Sequence, residues 1–133
     1  MSDQPFVVAL IPDLMAEVRF TEAMRAAGIA ATVVPDTTWR ATLAGQGDST
    51  ASGRPALAVV DLTAPGAVAA VEAAVAEQVP VLAYGPHVDG DALGAAREAG
   101  AALVVPRGRF VREAAALVGR MLDGAVEPRT PGA

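Results

Sequence analysis

The chain alternates short runs of β-branched and other apolar residues with longer alanine-rich stretches of helical spacing, the pattern of a parallel sheet with crossover helices. Five strand and helix pairs can be counted. Phe6 to Ile11 is apolar at every position, as a strand covered on both faces requires, and Pro12 ends it. Residues 14–27 place Leu14, Val18, Thr21 and Met24 near one side, with Glu17, Arg19, Glu22 and Arg25 largely elsewhere, which predicts a first helix closed by Gly28. Ala31 to Val34 is the second predicted strand. Pro35 follows it, and Asp36 is the expected N-cap of a short helix holding Trp39 and Leu43.

Residues 45–55 form a polar loop expected to be the most mobile internal segment. Ala56 to Val60 is the third predicted strand, ended by Asp61. Pro65-Gly66 then introduces a helix whose Val68, Val71 and Val75, at spacings of three and four, are expected in the core. Pro80 to Tyr84 is the fourth strand. It is followed by a loop from Gly85 to Asp91, whose last aspartate is expected to cap a short helix ending at Gly100. Leu103 to Val105 is the fifth strand, and a last helix from about Phe110 to Leu122 shows Phe110, Ala114, Leu117, Val118 and Met121 on one face. One domain over residues 1–125 is expected, with residues 126–133 as a disordered tail and no repeat.

Composition narrows the function. Of 133 residues 53 % are apolar, enough for a core, and the 15 acidic residues against 10 basic ones leave no positive stripe for a phosphate backbone, so nucleic acid is not an expected partner. Cysteine is absent, which excludes disulfides, thiolate nucleophiles and thiolate metal sites, and the single histidine, His87, excludes a histidine cluster. All the basic residues are arginine, so no mechanism can use a lysine ammonium. No basic stretch precedes the first apolar run, and no apolar run approaches the ~18 to 20 residues that span a bilayer. A cytoplasmic location and no membrane association are expected.

In an open parallel sheet, ligands meet the carboxyl ends of the strands. The residues there are Pro12 and Asp13, Asp61, then Gly85, Pro86 and His87, and finally Pro106, Arg107 and Arg109. Asp61 is the most informative, because a carboxylate at the end of the buried run Ala-Leu-Ala-Val-Val needs water, a cation or hydrogen bonds close by. No Gly-x-Gly-x-x-Gly follows the first strand and no phosphate-loop lysine exists, which disfavours nucleotide binding.

The segment Pro55-Ala-Leu-Ala-Val-Val-Asp61-Leu-Thr-Ala-Pro65-Gly66 resembles the central segment of response-regulator receiver domains, in which an apolar strand ends in the phosphoacceptor aspartate and a proline follows four residues later. Pro80-Val-Leu-Ala-Tyr84 resembles the fourth receiver strand, and Ala99-Gly-Ala-Ala-Leu-Val-Val105 the fifth with its Ala-Gly-Ala lead-in. The resemblance spans about residues 6–122. It implies a flavodoxin-like α/β fold, a five-stranded parallel sheet of order 2-1-3-4-5 with helices on both faces, and makes Asp61 the phosphoacceptor equivalent.

The departures from the receiver pattern bear on function. In active receivers an acidic pair after strand one and the strand-three aspartate hold Mg²⁺ for phosphoryl transfer to the carboxylate. Here counting back from Gly28 puts Ile11 and Pro12 at the pair, and counting forward from the apolar run puts Pro12 and Asp13 there, so at most one carboxylate survives. The small hydroxyl residue past strand four corresponds to Gly85. The lysine after strand five corresponds to Arg107, whose guanidinium could hold Asp61 through two parallel hydrogen bonds yet is not equivalent to an ammonium. A pseudo-receiver is expected, with no cofactor, no Mg²⁺ and no catalytic residue.

Each candidate keeps a plainer reading beside the sharp one. Asp61 is a phosphate acceptor, a structural aspartate paired with Arg107 or nearby N–H groups, or part of another ligand site. His87 is an acid, base or pH sensor, or a turn residue bonding the backbone. Asp13 is a residual metal carboxylate, with Asp61 its only partner, or the cap of the first helix. Arg107, Arg109 and Arg112 bind a phosphate or acidic partner, or form a solvated helix start. Trp39 and Phe20 are partner contacts if exposed and core fillers otherwise.

The expected function is therefore that of a stand-alone, non-enzymatic signalling module that binds another signalling protein. By the resemblance, the face formed by helix 4, strand 5 and helix 5 is the contact, including a homodimer. The alternatives are a phosphoacceptor regulator with an atypical pocket, and a small anionic-ligand binder or enzyme using Asp61, His87 and Arg107.

Overall fold

The computed structural model describes residues 5–46 and 53–124. Five strands, β1 (Phe6–Leu10), β2 (Ala30–Val33), β3 (Leu57–Asp61), β4 (Val81–Gly85) and β5 (Leu103–Pro106), alternate with helices α1 (Leu14–Ala26), α2 (Asp36–Leu43), α3 (Ala67–Ala76), α4 (Gly90–Glu98) and α5 (Arg107–Leu122). The sheet is parallel throughout, in the order β2-β1-β3-β4-β5, as the sequence pattern and the resemblance imply. β1, β3 and β4 are buried at every position, and the edge strands β2 and β5 are half-buried.

Strand alternation sends side chains to two cores. Phe6, Val8, Leu10, Ala58 and Val60 pack with Trp39, Leu43 and the alanines of α3 on one face. Val7, Ala9, Leu57, Val59, Leu82 and Tyr84 pack with Phe20 and Met24 of α1 and with Phe110, Leu117 and Val118 of α5 on the other. The same parity puts Asp61 with Val59, on the side of α1 and α5. It puts Gly85 with Ala83, on the side of α3 and α4, where a Cβ on Gly85 would meet Leu62 and Leu93.

Several local expectations are corrected. In α1 the inward residues are Phe20 and Met24, whereas Leu14 and Val18 are exposed. The helix ends at Ala26 with Ala27 as its C-cap, and Gly28 follows in the left-handed region (φ 74°). Asp36 is the first residue of α2 and makes no cap; Pro35 precedes it. The buried face of α3 is carried by Ala67, Ala70, Val71, Ala73 and Ala74, while Val75 is exposed and Val68 half-buried. Valine outweighs alanine in hydropathy but not in the closeness of helix to sheet, and the small residues win the inward positions. Asp89 rather than Asp91 caps α4, accepting from the Ala92 N–H at 3.1 Å. α5 starts at Arg107, directly after β5, with Glu113 departing from helical angles (φ −125°, ψ 22°).

Trp39 and Phe20 are both buried core residues, and the indole of Trp39 donates to the Ala70 carbonyl at 3.0 Å. The tail at residues 126–133 and the middle of the polar loop lie outside the described residues.

Candidate functional site

β1 leads by α1 to one side of the sheet and β3 leads by α3 to the other, so the segments after β1 and β3 diverge and leave a crevice at the strand ends. Asp13 follows β1 and Asp61 ends β3, and both line one cleft of about 460 Å³ between α1 and α5. Asp61 is 1 % exposed. Its Oδ1 accepts from the backbone N–H of Thr63 at 2.9 Å and from the Thr63 hydroxyl at 2.7 Å. Its Oδ2 accepts from the phenol of Tyr84 at 3.2 Å. These bonds supply what the burial of a carboxylate requires.

Arg107 adds one contact, from a terminal guanidinium nitrogen to Asp61 Oδ1 at 3.5 Å, with its own side chain 45 % exposed. That single long contact is the outer limit of a hydrogen bond and replaces the two parallel ones that a guanidinium could form. Much of the Arg107 donor capacity therefore faces the cleft. Asp13 is the N-cap of α1, its carboxylate accepting from the Ala16 N–H at 2.8 Å, where negative charge also meets the positive end of the helix.

Tyr84 completes the floor. Its ring lies parallel to Phe110 at a centroid distance of 4.0 Å, and Phe110 in turn faces Phe20 at 6.2 Å. Burial, then the charge of Asp61 and the hydrogen bond to it, push the Tyr84 phenol far above its ordinary value near 10, with Arg107 opposing weakly. Tyr84 stays a neutral donor at any physiological pH.

The structure thus brings Asp13, Asp61 and Arg107 to one cleft and keeps Gly85 and His87 out of it. Gly85 points to the opposite side of the sheet. His87 sits at the tip of a turn closed by the Asp89 N–H on the Pro86 carbonyl at 3.0 Å, which leaves its side chain in solvent. The grouping of Asp61, His87 and Arg107 in one site is therefore corrected: two of the three meet. Arg109 pairs with Glu113 at 3.3 Å on α5.

Thr63, Tyr84 and Arg19 belong to the cleft without having been singled out beforehand. The spacing Asp-x-Thr is a signal for Thr63, since an aspartate commonly accepts from the residue two positions on. Tyr84 follows from the register, in which it is the direct partner of Asp61. A larger depression of about 660 Å³ lies by Val75, Pro80 and Arg97, at the opposite end of the strands, and holds none of the candidate residues.

Mg²⁺ is the ion that an active receiver pocket would hold, and the donor set here does not fit it. Among the described residues, Asp13 and Asp61 are the only carboxylates lining the cleft. No group of three or more His, Cys, Asp or Glu side chains comes together among the described residues. An octahedral hard cation takes several oxygen ligands, and here one of the two carboxylates is buried and bonded to Thr63 and Tyr84, while the other caps a helix.

No family model matches the chain, and no curated protein matches it in sequence. Solved structures do match. A CheY-like response regulator receiver domain from Methanospirillum hungatei superposes with a TM-score of 0.71 at 13 % identity, covering 90 % of this chain and 94 % of that one. The chain has the receiver fold. Other structures sharing it include an orphan response regulator of H. pylori (TM-score 0.70, 14 % identity, 92 % of this chain and 99 % of that one). Another is the phosphorylated cyanobacterial phytochrome response regulator RcpA (TM-score 0.64, 15 % identity, 97 % and 99 %). Among the described residues no helix of this receiver fold is long and apolar enough to cross a membrane.

Proposed function

We propose that this chain is a pseudo-receiver, a cytoplasmic protein-interaction module of signal transduction whose state is not set by conventional Mg²⁺-dependent aspartyl phosphorylation. The observation that carries the reading is the burial of Asp61 among bonds to its own chain. To attack phosphorus a carboxylate oxygen must be reachable by the phosphodonor while cations neutralise the phosphoryl oxygens. Asp61 is 1 % exposed and bonded on both oxygens to groups of its own chain. Gly85 supplies no hydroxyl, and the neighbouring cation is a guanidinium.

Output is then binding, and the reading takes the α4–β5–α5 face as the contact, including a homodimer. β5 supports it as an edge strand whose Leu103 and Val104 are only half-covered. The test is beryllofluoride with Mg²⁺, followed by amide NMR, and acetyl phosphate followed by intact mass. No saturable spectral change and no added phosphoryl mass are expected. A phosphoryl adduct on Asp61 would replace this reading with that of an atypical phosphoacceptor.

A further inference from the structure

The cleft between α1 and α5 is more than the surroundings of Asp61. Its floor is apolar, Phe20 and Ala23 from α1 packed against Phe110 and Ala114 from α5, and its volume of about 460 Å³ falls within the range of small-molecule sites. At its lips stand Met15 on α1 and Val111 on α5, which are 62 % and 56 % exposed. Large apolar side chains left in water on opposing walls lose their hydration cost only when something apolar lies between them.

Unused hydrogen-bond donors select the other half of the occupant. The two carboxylates that line the cleft are engaged, Asp13 at the N-terminus of α1 and Asp61 with Thr63 and Tyr84. The two arginines are not spent in the same way. Arg19, on α1, has no ion pair or hydrogen bond among the described residues, and Arg107, on α5, spends one long contact on Asp61. Formal charge in the cleft balances, two carboxylates against two guanidinium groups, but the hydrogen-bond donors left unused are those of Arg19 and Arg107, one on each helix. An inorganic phosphate would use the guanidinium groups and leave the walls wet; a neutral hydrocarbon would do the reverse.

We propose that the α1–α5 cleft is a binding site for a small amphipathic anion, a flat apolar acid whose body lies between Met15 and Val111 over the floor made by Phe20 and Phe110 and whose carboxylate is held by Arg19 and Arg107. The site goes beyond the pseudo-receiver reading and does not require it, because Asp61 stays in its own bonds whether or not the cleft is filled.

The test uses naphthoate and its neutral isostere naphthamide, each titrated into the isotope-labelled full chain and followed by two-dimensional amide NMR. Naphthoate is expected to saturate in the millimolar range or below, with shifts on the cleft faces of α1 and α5. Naphthamide is expected to bind about tenfold more weakly, the equivalent of one charge-assisted contact. Arg19→Met should bring naphthoate down to the level of naphthamide. Val111→Glu, at an exposed position, should weaken naphthoate more than naphthamide. Equal binding of acid and amide, shifts centred on the depression by Val75 and Arg97, or no saturation would each overturn the site. None of these results bears on the beryllofluoride and acetyl phosphate experiments, so the two readings fail separately.

Discussion

The phenol of Tyr84 donates a 3.2 Å hydrogen bond to Asp61 Oδ2 between two residues that are direct partners in neighbouring parallel strands. Parallel register puts both side chains on the same face, and stacking on Phe110 fixes the plane of the ring from behind. Sequence separation of 23 residues is closed by one ladder rung.

Tyr84→Phe keeps the stack and removes the one donor to Oδ2 found among the described residues. The expected loss is about 1 to 2 kcal/mol, the cost of leaving a buried acceptor short of a partner. Urea unfolding followed by the fluorescence of Trp39 measures it, and an unchanged midpoint would show that the bond contributes nothing net.

The same residue sets an alkaline limit. A phenol whose folded pKa lies above its unfolded value of about 10 binds its proton more tightly in the folded state. Its contribution is complete below pH about 10 and is lost as pH climbs above that, because the unfolded chain releases the proton first. Stability of the parent protein should fall more steeply above pH 10 than that of Tyr84→Phe, read as two urea midpoint curves against pH. Parallel curves would contradict the assignment.

Asp61→Ala should cost about 1 to 3 kcal/mol, since it strands the buried hydroxyl of Tyr84 and removes the acceptor of the exposed Thr63 N–H and hydroxyl. Arg107→Met should cost less than about 1 kcal/mol, because its contact is long and its side chain is 45 % exposed. The ordering of the two, by denaturant unfolding, is the decisive result: a larger loss at Arg107 would mean that the ion pair, and not the hydroxyl bonds, holds the carboxylate.

Trp39→Phe should cost about 2 to 3 kcal/mol. The indole fills the core beneath α2 and its N–H reaches the Ala70 carbonyl, so the substitution loses both volume and a buried bond. Circular dichroism during thermal unfolding checks it, since the substitution removes the only tryptophan.

Gly100→Ala tests a close approach at the base of the sheet. Gly100 has φ 108°, and a Cβ there would lie 3.1 Å from Val75 Cγ2. About 1 to 3 kcal/mol of destabilisation is expected, seen as a lowered Tm. The double variant with Val75→Ala should recover the steric part and leave the backbone part.

Much of this arrangement can be read from the chain by itself. The five strands and five helices follow from β-branched runs set between alanine-rich stretches, and Asp13 as a cap follows from its place before an apolar helix. What escapes a one-dimensional reading depends on parity and on distance. Val59 and Asp61 share a face, as do Leu82 and Tyr84, but which face meets α1 is decided only when the sheet is assembled. The inward turn of α1 is a similar case: Leu14 and Val18 are apolar like Phe20, yet it is Phe20 that lies inside, stacked on Phe110. His87 looked like chemistry because it follows a strand end, and the turn closed on Pro86 carries it away.

The alanine face of α3 has a reach beyond its own packing. With Ala67, Ala70, Ala73 and Ala74 against the strands, the helix rides low on the sheet, and it begins six residues after the acid. Any enlargement of those methyls lifts the helix and pulls on the short link that carries the Thr63 donor. Substitutions on the far layer of the molecule would then alter the hydration of Asp61 through the backbone alone, with the opposite side of the sheet undisturbed.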